Sequence, residues 1–251
     1  MPYDDDDALL RRRLTELALR ADRQGIATFS EFLTPPQAQM AYSAAKEAGV
    51  TAECFGGYED AERQMVRFLP ADGWEETYPI SALLLTWPHQ TAPSHRDLLG
   101  SVMGLGIRRG MVGDIVVEAE QAYLFAETAM CQHIDSVLAS AGRVNLQVQL
   151  LDELPVPKPP EGRQVRDTVS SPRLDAVIAG GFSISRAKAA ALITAGHVKL
   201  RHTPCIRTDV HVCEGDVISV RGLGRLKCCE IGQPTRKGRY PLNMLRFGER
   251  K

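Results

Sequence analysis

The sequence predicts an α+β protein with an N-terminal α/β region, a split β-α-β plait in the middle and a basic C-terminal domain. Helical and alternating apolar patterns succeed one another along the 251 residues, and four prolines between residues 153 and 162 mark a stiff, extended linker. The charge changes sign at that linker. Residues 163–251 hold 17 Lys and Arg against 7 Asp and Glu (+10), whereas residues 1–162 hold 13 against 24 (−11). Such asymmetry is typical of proteins that bind nucleic acid.

These observations divide the chain into an N-terminal α/β domain, a middle domain, a linker and a C-terminal domain. Their predicted bounds are, in that order, residues 1–74, 75–152, 153–162 and 163–251. The first domain is expected to contain two helices and two strands, over residues 6–24, 35–48, 51–55 and 65–69. Thr34 and Gln37 form a capping box before the second helix. The turn Gly56-Gly57-Tyr58 could hold a nucleotide or simply pack a half-buried tyrosine.

The middle domain follows the order strand, helix, strand, strand, helix, strand. The predicted strands cover residues 80–87, 114–117, 122–125 and 143–150, and the predicted helices cover residues 95–105 and 128–141. Ser94 and Asp97 form a capping box ahead of the first of these helices. The order is that of the split β-α-β plait of many RNA-binding modules. The paired aromatics that stack on bases in such modules are missing, so the order alone does not predict RNA binding.

The C-terminal domain is expected to begin with two short helices and a strand. The first helix should stop at Gly180-Gly181, and the second should begin near Ser183 or Ser185. The alternating strand His197–Arg201 follows. One face of the second helix carries small or apolar residues that can pack against the first helix, namely Ala187, Ala191, Leu192 and Ala195.

Cations gather around the start of the second helix and along the strand after it. The free N–H groups of a helix start favour a phosphate, and Arg186 and Lys188 lie beside them. Lys199 and Arg201 add charge from the strand. Each of these side chains alone is an ordinary solvated charge, but together they predict an anion-binding surface. A second phosphate contact is expected at a basic hairpin tip, formed by Arg236, Lys237 and Arg239.

This part of the chain resembles the S4-type RNA-binding domain. The matching segments are Arg173-Leu174-Asp175, Ser185-Arg186, Gly196-His197-Val198 and residues 214–220. The family usually has Asn-Gly after the strand, where this chain has Arg201-His202, so the turn is expected to differ. The candidate RNA-binding residues of this domain are Arg173, Asp175, Ser185, Arg186, Lys188, His197, Lys199, Arg201, Arg225, Lys227, Arg236, Lys237 and Arg239.

Over nearly its whole length the chain resembles the bacterial YlmH family. The matching residues are Gly57-Tyr58, Glu62-Arg63, residues 95–100, residues 105–109 and Gly113-Asp114-Ile115, followed by the S4-type domain. The resemblance implies a cytoplasmic RNA-binding protein linked to cell division and to ribosome-associated quality control. It would contact rRNA or tRNA on large ribosomal subunits that retain a peptidyl-tRNA. The family's middle domain is regarded as an RRM-like RNA-binding module, which implies a second RNA contact at His95, Arg96, Arg108 and Arg109.

Other classes of protein are disfavoured by what the sequence contains. No apolar run approaches the ~18 residues that span a bilayer, and the acidic start from Asp4 to Asp7 is unlike a signal peptide. The six cysteines are scattered without metal-ligand spacing, so no metal and no cofactor are expected. His95-Arg96-Asp97 copies the kinase tripeptide, but the Asn expected five residues after the Asp is replaced by Val102.

Two alternatives to a non-enzymatic, monomeric RNA-binding protein stay open. S4-type domains also occur in RNA-modifying enzymes, and Arg173-Leu174-Asp175 partly resembles the catalytic segment of pseudouridine synthases. The acidic half of the chain could also make the protein an adaptor that binds other proteins. Neither membrane binding nor a long basic amphipathic helix is predicted.

Overall fold

The computed structural model describes residues 3–59, 61–71, 73, 76–88, 92–158 and 162–248. Helices and antiparallel sheets make up an α+β protein, which confirms the predicted class. The chain forms two compact units, Met1–Lys158 and Pro159–Lys251. The predicted bounds of the individual domains stay a prediction.

The first unit begins with a helical layer on a small sheet. Its elements are α1 (Tyr3–Gln24), β1 (Thr28–Phe29), α2 (Pro35–Ala48), β2 (Thr51–Phe55) and β3 (Met65–Leu69). The sheet is antiparallel in the order β1-β3-β2. Small buried residues such as Ala18 on α1 and Ala41 on α2 allow close packing of the two helices. The capping box starts α2 as predicted, because the Gln37 side chain accepts a 2.9 Å hydrogen bond from the Thr34 N–H.

A four-stranded sheet with two helices follows. Its elements are β4 (Ile80–Thr86), α3 (His95–Gly104), a short 3-10 turn (Arg109–Met111), β5 (Val112–Val117), β6 (Gln121–Glu127), α4 (Thr128–Val137), β7 (Ser140–Ala141), β8 (Val144–Asn145) and β9 (Gln147–Leu150). The strand order β5-β6-β4-β9, antiparallel throughout, is that of a split β-α-β plait. Buried side chains of α3 and α4, including Leu98 and Ile134, pack against Leu83 and Leu85 on one face of this sheet.

The predicted second helix and last strand of the plait differ from the structure. The helix was expected to reach residue 141, but it ends at Val137 because Leu138 has φ −78° and ψ 103°. The small hairpin β7–β8 follows and turns at Gly142, where φ is +60°. The strand expected over residues 143–150 is therefore split into β8 and β9. The pairing of β8 with β7 and of β9 with β4 decides this, since the local apolar pattern suits either arrangement.

The segment predicted as a linker is in part packed against the first unit. Residues 153–158 belong to no helix or strand, Pro157 is buried, and the Lys158 N–H donates a 3.0 Å hydrogen bond to the Glu118 carboxylate. Residues 159–161 of the predicted linker lie outside the described residues, as does Trp74 at the other predicted boundary.

The second unit is one six-stranded antiparallel sheet with two helices. Its elements are β10 (Arg163–Val169), α5 (Leu174–Phe182), α6 (Arg186–Thr194), β11 (Val198–Leu200), β12 (Thr203–Pro204), β13 (Val217–Val220), β14 (Gly224–Ile231) and β15 (Tyr240–Phe247). The strand order is β10-β15-β14-β13-β11-β12. One core cluster joins α5 and α6 to the inward residues of the sheet, including Phe182, Ile193, Leu226 and Met244.

The first helix of this unit does not stop at Gly180-Gly181 as predicted. Helix α5 continues to Phe182 and ends at Ser183, whose φ of +54° is left-handed. The two glycines serve close packing instead. A Cβ at Gly180 would lie 2.0 Å from the Asp167 carboxylate, and one at Gly181 would lie 2.3 Å from Leu226. The sequence pattern resembled a helix end because glycine meets both needs.

Among the residues that the structure describes, no single helix has the length and apolar character needed to cross a membrane. Helices α5 and α6 pass such a test only when joined, and they are bent by 119° at their junction. Both belong to the core of the second unit.

Candidate nucleic-acid interface

Asp175, at the start of α5, holds two arginines in place. Its side chain is 9% exposed; Oδ1 accepts a 3.2 Å hydrogen bond from Nε of Arg173, and Oδ2 accepts one of 2.8 Å from Arg186. Burial alone would raise the pKa of this carboxyl, but the hydrogen bonds from Arg186 and Arg173 lower it below its ordinary value. Three residues predicted at one site are thus in contact, and Asp175 fixes the direction of both guanidinium groups.

Helix α6 turns its cations and some of its alanines outward. Ser185 caps the helix by accepting a 3.2 Å hydrogen bond from the Lys188 N–H, and the Lys188 side chain is exposed. The prediction of which face of α6 packs against α5 is wrong. Ala189 and Ile193 are buried, because Ile193 removes more apolar area from water than an alanine can. The exposed residues are instead Ala187, Ala191 and Ala195, while Leu192 is half-buried.

The turn after β11 keeps a left-handed geometry although glycine is absent. Arg201 and His202 have φ values of +51° and +65°, and they join β11 to β12 in a two-residue hairpin loop. Arg201 is therefore in the turn rather than in the strand. It donates hydrogen bonds of 2.6 and 2.8 Å to Asp216, whose side chain is 9% exposed. Those bonds raise the pKa of Arg201. Asp216 was not predicted from the sequence as the partner of Arg201.

The strands of the second unit turn a row of cations away from the helices. Val198 and Leu200 are buried toward α5 and α6, so Lys199 between them points to the opposite face. On β14, Arg225 and Lys227 likewise flank the buried Leu226. We call the side of the sheet that carries these three residues the outer sheet face. His197, just before β11, is exposed.

The predicted RNA-binding residues therefore lie on two sides of one sheet. Arg173, Asp175, Ser185, Arg186 and Lys188 belong to the helical side, which we call the helix face. The outer sheet face also carries two residues that the sequence analysis missed, Leu245 and Phe247 of β15. The buried Leu242 and Met244 show which side β15 turns inward, and this alternation was readable in the sequence.

The basic hairpin tip is only partly free for contacts. Arg236 and Lys237 are exposed beside Gly238, where φ is +68°. Arg239 is also exposed, but its guanidinium donates hydrogen bonds to Thr168, one of them to Oγ1 at 3.2 Å. Arg239 therefore ties the tip to β10.

The four residues of the expected second contact divide into two pairs. His95 and Arg96 are exposed on the first turn of α3. Arg108 instead makes a 2.6 Å ion pair with Glu31. Arg109 donates hydrogen bonds to the carbonyl groups of Val112 and Gly113, and burial lowers its pKa.

Four of the residues that carry the family resemblance in the first unit form one hydrogen-bonded cluster, namely Tyr58, Glu62, Arg63 and Asp114. The Asp114 carboxylate accepts hydrogen bonds from the Tyr58 hydroxyl at 2.9 Å and from the N–H groups of Glu62 and Arg63 at 2.7 and 3.2 Å. The Arg63 guanidinium donates to the carbonyl oxygen of Phe32 at 2.6 Å. The Gly56-Gly57-Tyr58 turn thus packs a tyrosine, which fits the second of its two interpretations.

This cluster fastens the N-terminal layer over the free face of the plait. Tyr123 and Phe125 lie on that face of β6, the central position where stacking aromatics act in RNA-binding plaits. The pairing of Tyr123 and Phe125 on this face was not predicted from the sequence. Phe125 is fully buried with Phe32 and Met65, and its ring centroid lies 4.8 Å from that of Tyr58. It cannot stack on a base in this structure.

Three comparisons relate the chain to known proteins. Residues 74–153 match the family described as "Putative RNA-binding domain in YlmH". A solved structure of the cell division protein YlmH from Streptococcus pneumoniae superposes with a TM-score of 0.51 at 21% identity, covering 58% of this chain and 91% of that one. At that identity the likeness concerns the fold alone.

A match to a second protein covers more of the chain. The chain is 30% identical over 215 residues to the "Ribosome-associated protein quality control protein P2" of Bacillus subtilis (strain 168). The alignment covers 84% of each protein. The match spans most of both units, and it includes the Asp114 cluster in the first unit. The chain belongs to the YlmH family.

Proposed function

We propose that this protein binds RNA without enzymatic activity, contacting rRNA or tRNA on the large ribosomal subunit during quality control of stalled nascent chains. The observation that carries the proposal is the cationic second unit, in which Asp175 directs Arg173 and Arg186 beside the exposed Lys188. Oriented guanidinium groups next to a helix start suit phosphate oxygens. The B. subtilis relative is named for ribosome-associated quality control, which supports the ribosome as the place of action.

We further propose that residues 163–251 are an S4-type RNA-binding domain. The two helices, the left-handed turn at Arg201-His202 and the strand β13 after it agree with that resemblance. The remaining divisions are an N-terminal α/β domain to residue 74, an RRM-like middle domain over residues 75–152 and a linker. The protein is proposed to be a cytoplasmic monomer with a link to cell division, which the name of the S. pneumoniae relative supports.

A second RNA contact in the middle domain is proposed for His95 and Arg96 only. Both side chains are exposed at the start of α3. Arg108 and Arg109 are engaged with Glu31 and with backbone carbonyl groups, so their role in the proposal is structural.

The alternative of a pseudouridine synthase has less support. Both carboxylate oxygens of Asp175 accept hydrogen bonds from arginines, and Oδ1 also accepts one from the Ala176 N–H at 2.9 Å. A catalytic carboxylate needs a free oxygen that reaches substrate. The adaptor alternative is compatible with the proposal, because the acidic unit could bind a protein while the basic unit binds RNA.

Sucrose-gradient sedimentation of lysate tests the proposal. At moderate salt we expect the wild-type protein to co-migrate with free large subunits. The variant Lys188→Ala/Arg236→Ala/Lys237→Ala should move toward the top, since three exposed phosphate contacts are lost. Lys46→Ala, on the exposed end of α2 in the first unit, is the matched control and should sediment as wild type.

The outcome that contradicts the proposal is a wild-type protein that stays at the top of the gradient. A pull-down that survives nuclease treatment would then favour the adaptor.

A further inference from the structure

The outer sheet face arranges its side chains in cross-strand rows. In the register of the sheet, Phe247 pairs with Arg225, Arg225 with Ser219, and Ser219 with Lys199. A row across four strands spans about 14 Å, because neighbouring strands lie about 4.8 Å apart. The adjacent row contains Leu245 and Lys227, which are also paired in register. Aromatic, aliphatic and cationic groups therefore lie side by side on the outer sheet face.

We propose that the outer sheet face is a separate site for single-stranded RNA, with Phe247 as a stacking platform for a base. This inference rests on the proposed RNA-binding function and assigns it a second surface. Phe247 is half-buried at the end of β15: its ring lies beside Gly162, and solvent reaches part of the side chain. Stacking on aromatic rings beside a cationic track is how proteins hold unpaired strands.

Single-stranded RNA fits this face better than a duplex does. The bases of a duplex are stacked on one another and cannot lie on a protein ring, whereas unpaired bases can. The phosphates of such a strand would meet Lys199 on β11 and Arg225 and Lys227 on β14, with β13 between these two strands.

The charge across the face also favours a polyanion at one end. The carboxylate on this side that the register identifies is Glu230, which lies in the row of Asn243 and Arg166 toward the opposite end. A nucleic-acid strand is therefore expected to follow the Lys199–Phe247 row. An acidic protein segment would meet the same cations but would gain nothing specific from the aromatic ring.

Fluorescence anisotropy with two labelled probes tests the inference. The probes are a 12-nucleotide oligouridylate and a 12-base-pair RNA hairpin, each titrated with the full-length chain. Phe247→Leu keeps apolar bulk and removes the ring, so oligouridylate affinity should fall about tenfold, with a much smaller effect on the hairpin. Lys199→Ala should lower the salt slope for oligouridylate by about 0.7. Lys188→Ala, on the helix face, should weaken the hairpin more than oligouridylate, and Lys46→Ala should change neither.

Three results would overturn the inference. If Phe247→Leu and Lys199→Ala bind oligouridylate as tightly as wild type while Lys188→Ala does not, the helix face binds both probes and the proposed function survives. If the wild-type protein binds neither probe, the proposed function fails as well. If polyglutamate of equal charge displaces oligouridylate equally well, the face suits an acidic protein instead.

A second measurement uses only the wild-type chain and so does not depend on the folding of variants. Oligouridylate that contains 4-thiouridine is photo-crosslinked to the protein, and the modified peptides are mapped by mass spectrometry. Crosslinks in β11, β14 and β15 would support the inference. Crosslinks confined to α5 and α6 would contradict it.

Discussion

The two largest sheets of this protein each bury one face under helices, but the aromatic on the other face is covered in one sheet and reached by solvent in the other. In the plait, Phe125 on the central strand β6 is fully buried beneath the N-terminal layer. In the second unit, Phe247 on β15 is half-exposed and is paired in register with Arg225. An aromatic on a sheet face is therefore not by itself a binding platform. What covers the ring decides between a core residue and a contact residue.

The same comparison explains where the charge lies. The acidic first unit engages Arg108 and Arg109 in contacts with Glu31 and backbone carbonyl groups. The basic second unit leaves Lys188 and Lys199 exposed on opposite sides of one sheet. The family resemblance implied an RNA contact on the first unit, whereas the exposed cations favour the second unit.

The largest expected effect on stability is the difference between truncating Phe125 and truncating Phe247. Phe125→Ala should lower the free energy of unfolding by about 3–5 kcal/mol, because it opens a cavity between the plait and the N-terminal layer. Phe247→Ala should cost only about 1 kcal/mol, since solvent already reaches the ring. Tryptophan fluorescence in urea follows the first unit, because Trp74 and Trp87 both precede residue 158. Circular dichroism follows both units, so a circular-dichroism transition without a matching fluorescence change belongs to the second unit. Equal losses in the free energy of unfolding for the two variants would contradict the different roles given to Phe125 and Phe247.

A smaller effect, dependent on pH, is expected on the helix face. Arg186→Ala should destabilise the second unit by about 1 kcal/mol at pH 7, since Asp175 loses one charged partner and keeps Arg173. The folded-state pKa of Asp175 is lowered, so its stabilisation is present above the unfolded pKa of about 4 and is lost as the pH falls through the folded pKa. The difference between variant and wild type should therefore shrink in acid.

Urea unfolding at pH 7 and pH 3 checks this pH dependence. Lys188→Ala, whose side chain has no ion pair among those identified in the described part of the chain, is the control and should show no such change. A pH-independent loss for Arg186→Ala would contradict the role given to Asp175.

The smallest effect separates charge from geometry in the turn after β11. Arg201→Lys keeps the charge but cannot reproduce the paired hydrogen bonds to Asp216. We expect a loss of about 0.5–1 kcal/mol in stability, measured by thermal unfolding, with RNA affinity nearly unchanged. If affinity falls while stability does not, Arg201 contacts RNA directly and belongs with the exposed cations.

Local signals in the sequence predicted much of the fold. The capping boxes at Thr34 and Ser94 and the strands Thr51–Phe55 and Met65–Leu69 are found as predicted, because each depends on neighbouring residues. Contacts between distant segments could not be read in this way. The partner of Arg201 lies 15 residues away, and the acceptor for Tyr58 lies 56 residues away.

Which face of a helix or strand is buried could also be predicted only in part from the sequence. Helix α6 is apolar on several sides, so the buried pair Ala189 and Ile193 was not distinguished from Ala187 and Ala191. The division of the candidate cations between two faces followed only once the strands were paired. Alternation along β11 contained that information for Lys199, but the prediction grouped it with the helix.

The long span of the Tyr58–Asp114 hydrogen bond has a consequence during protein synthesis. At about 5–20 residues per second, roughly 3 to 11 seconds separate the two residues at the site of translation. The N-terminal layer is made first, yet the core cluster around Phe32 and Met65 is incomplete until Phe125 has followed. A nascent chain that stops near residue 71 would therefore present these apolar side chains to chaperones.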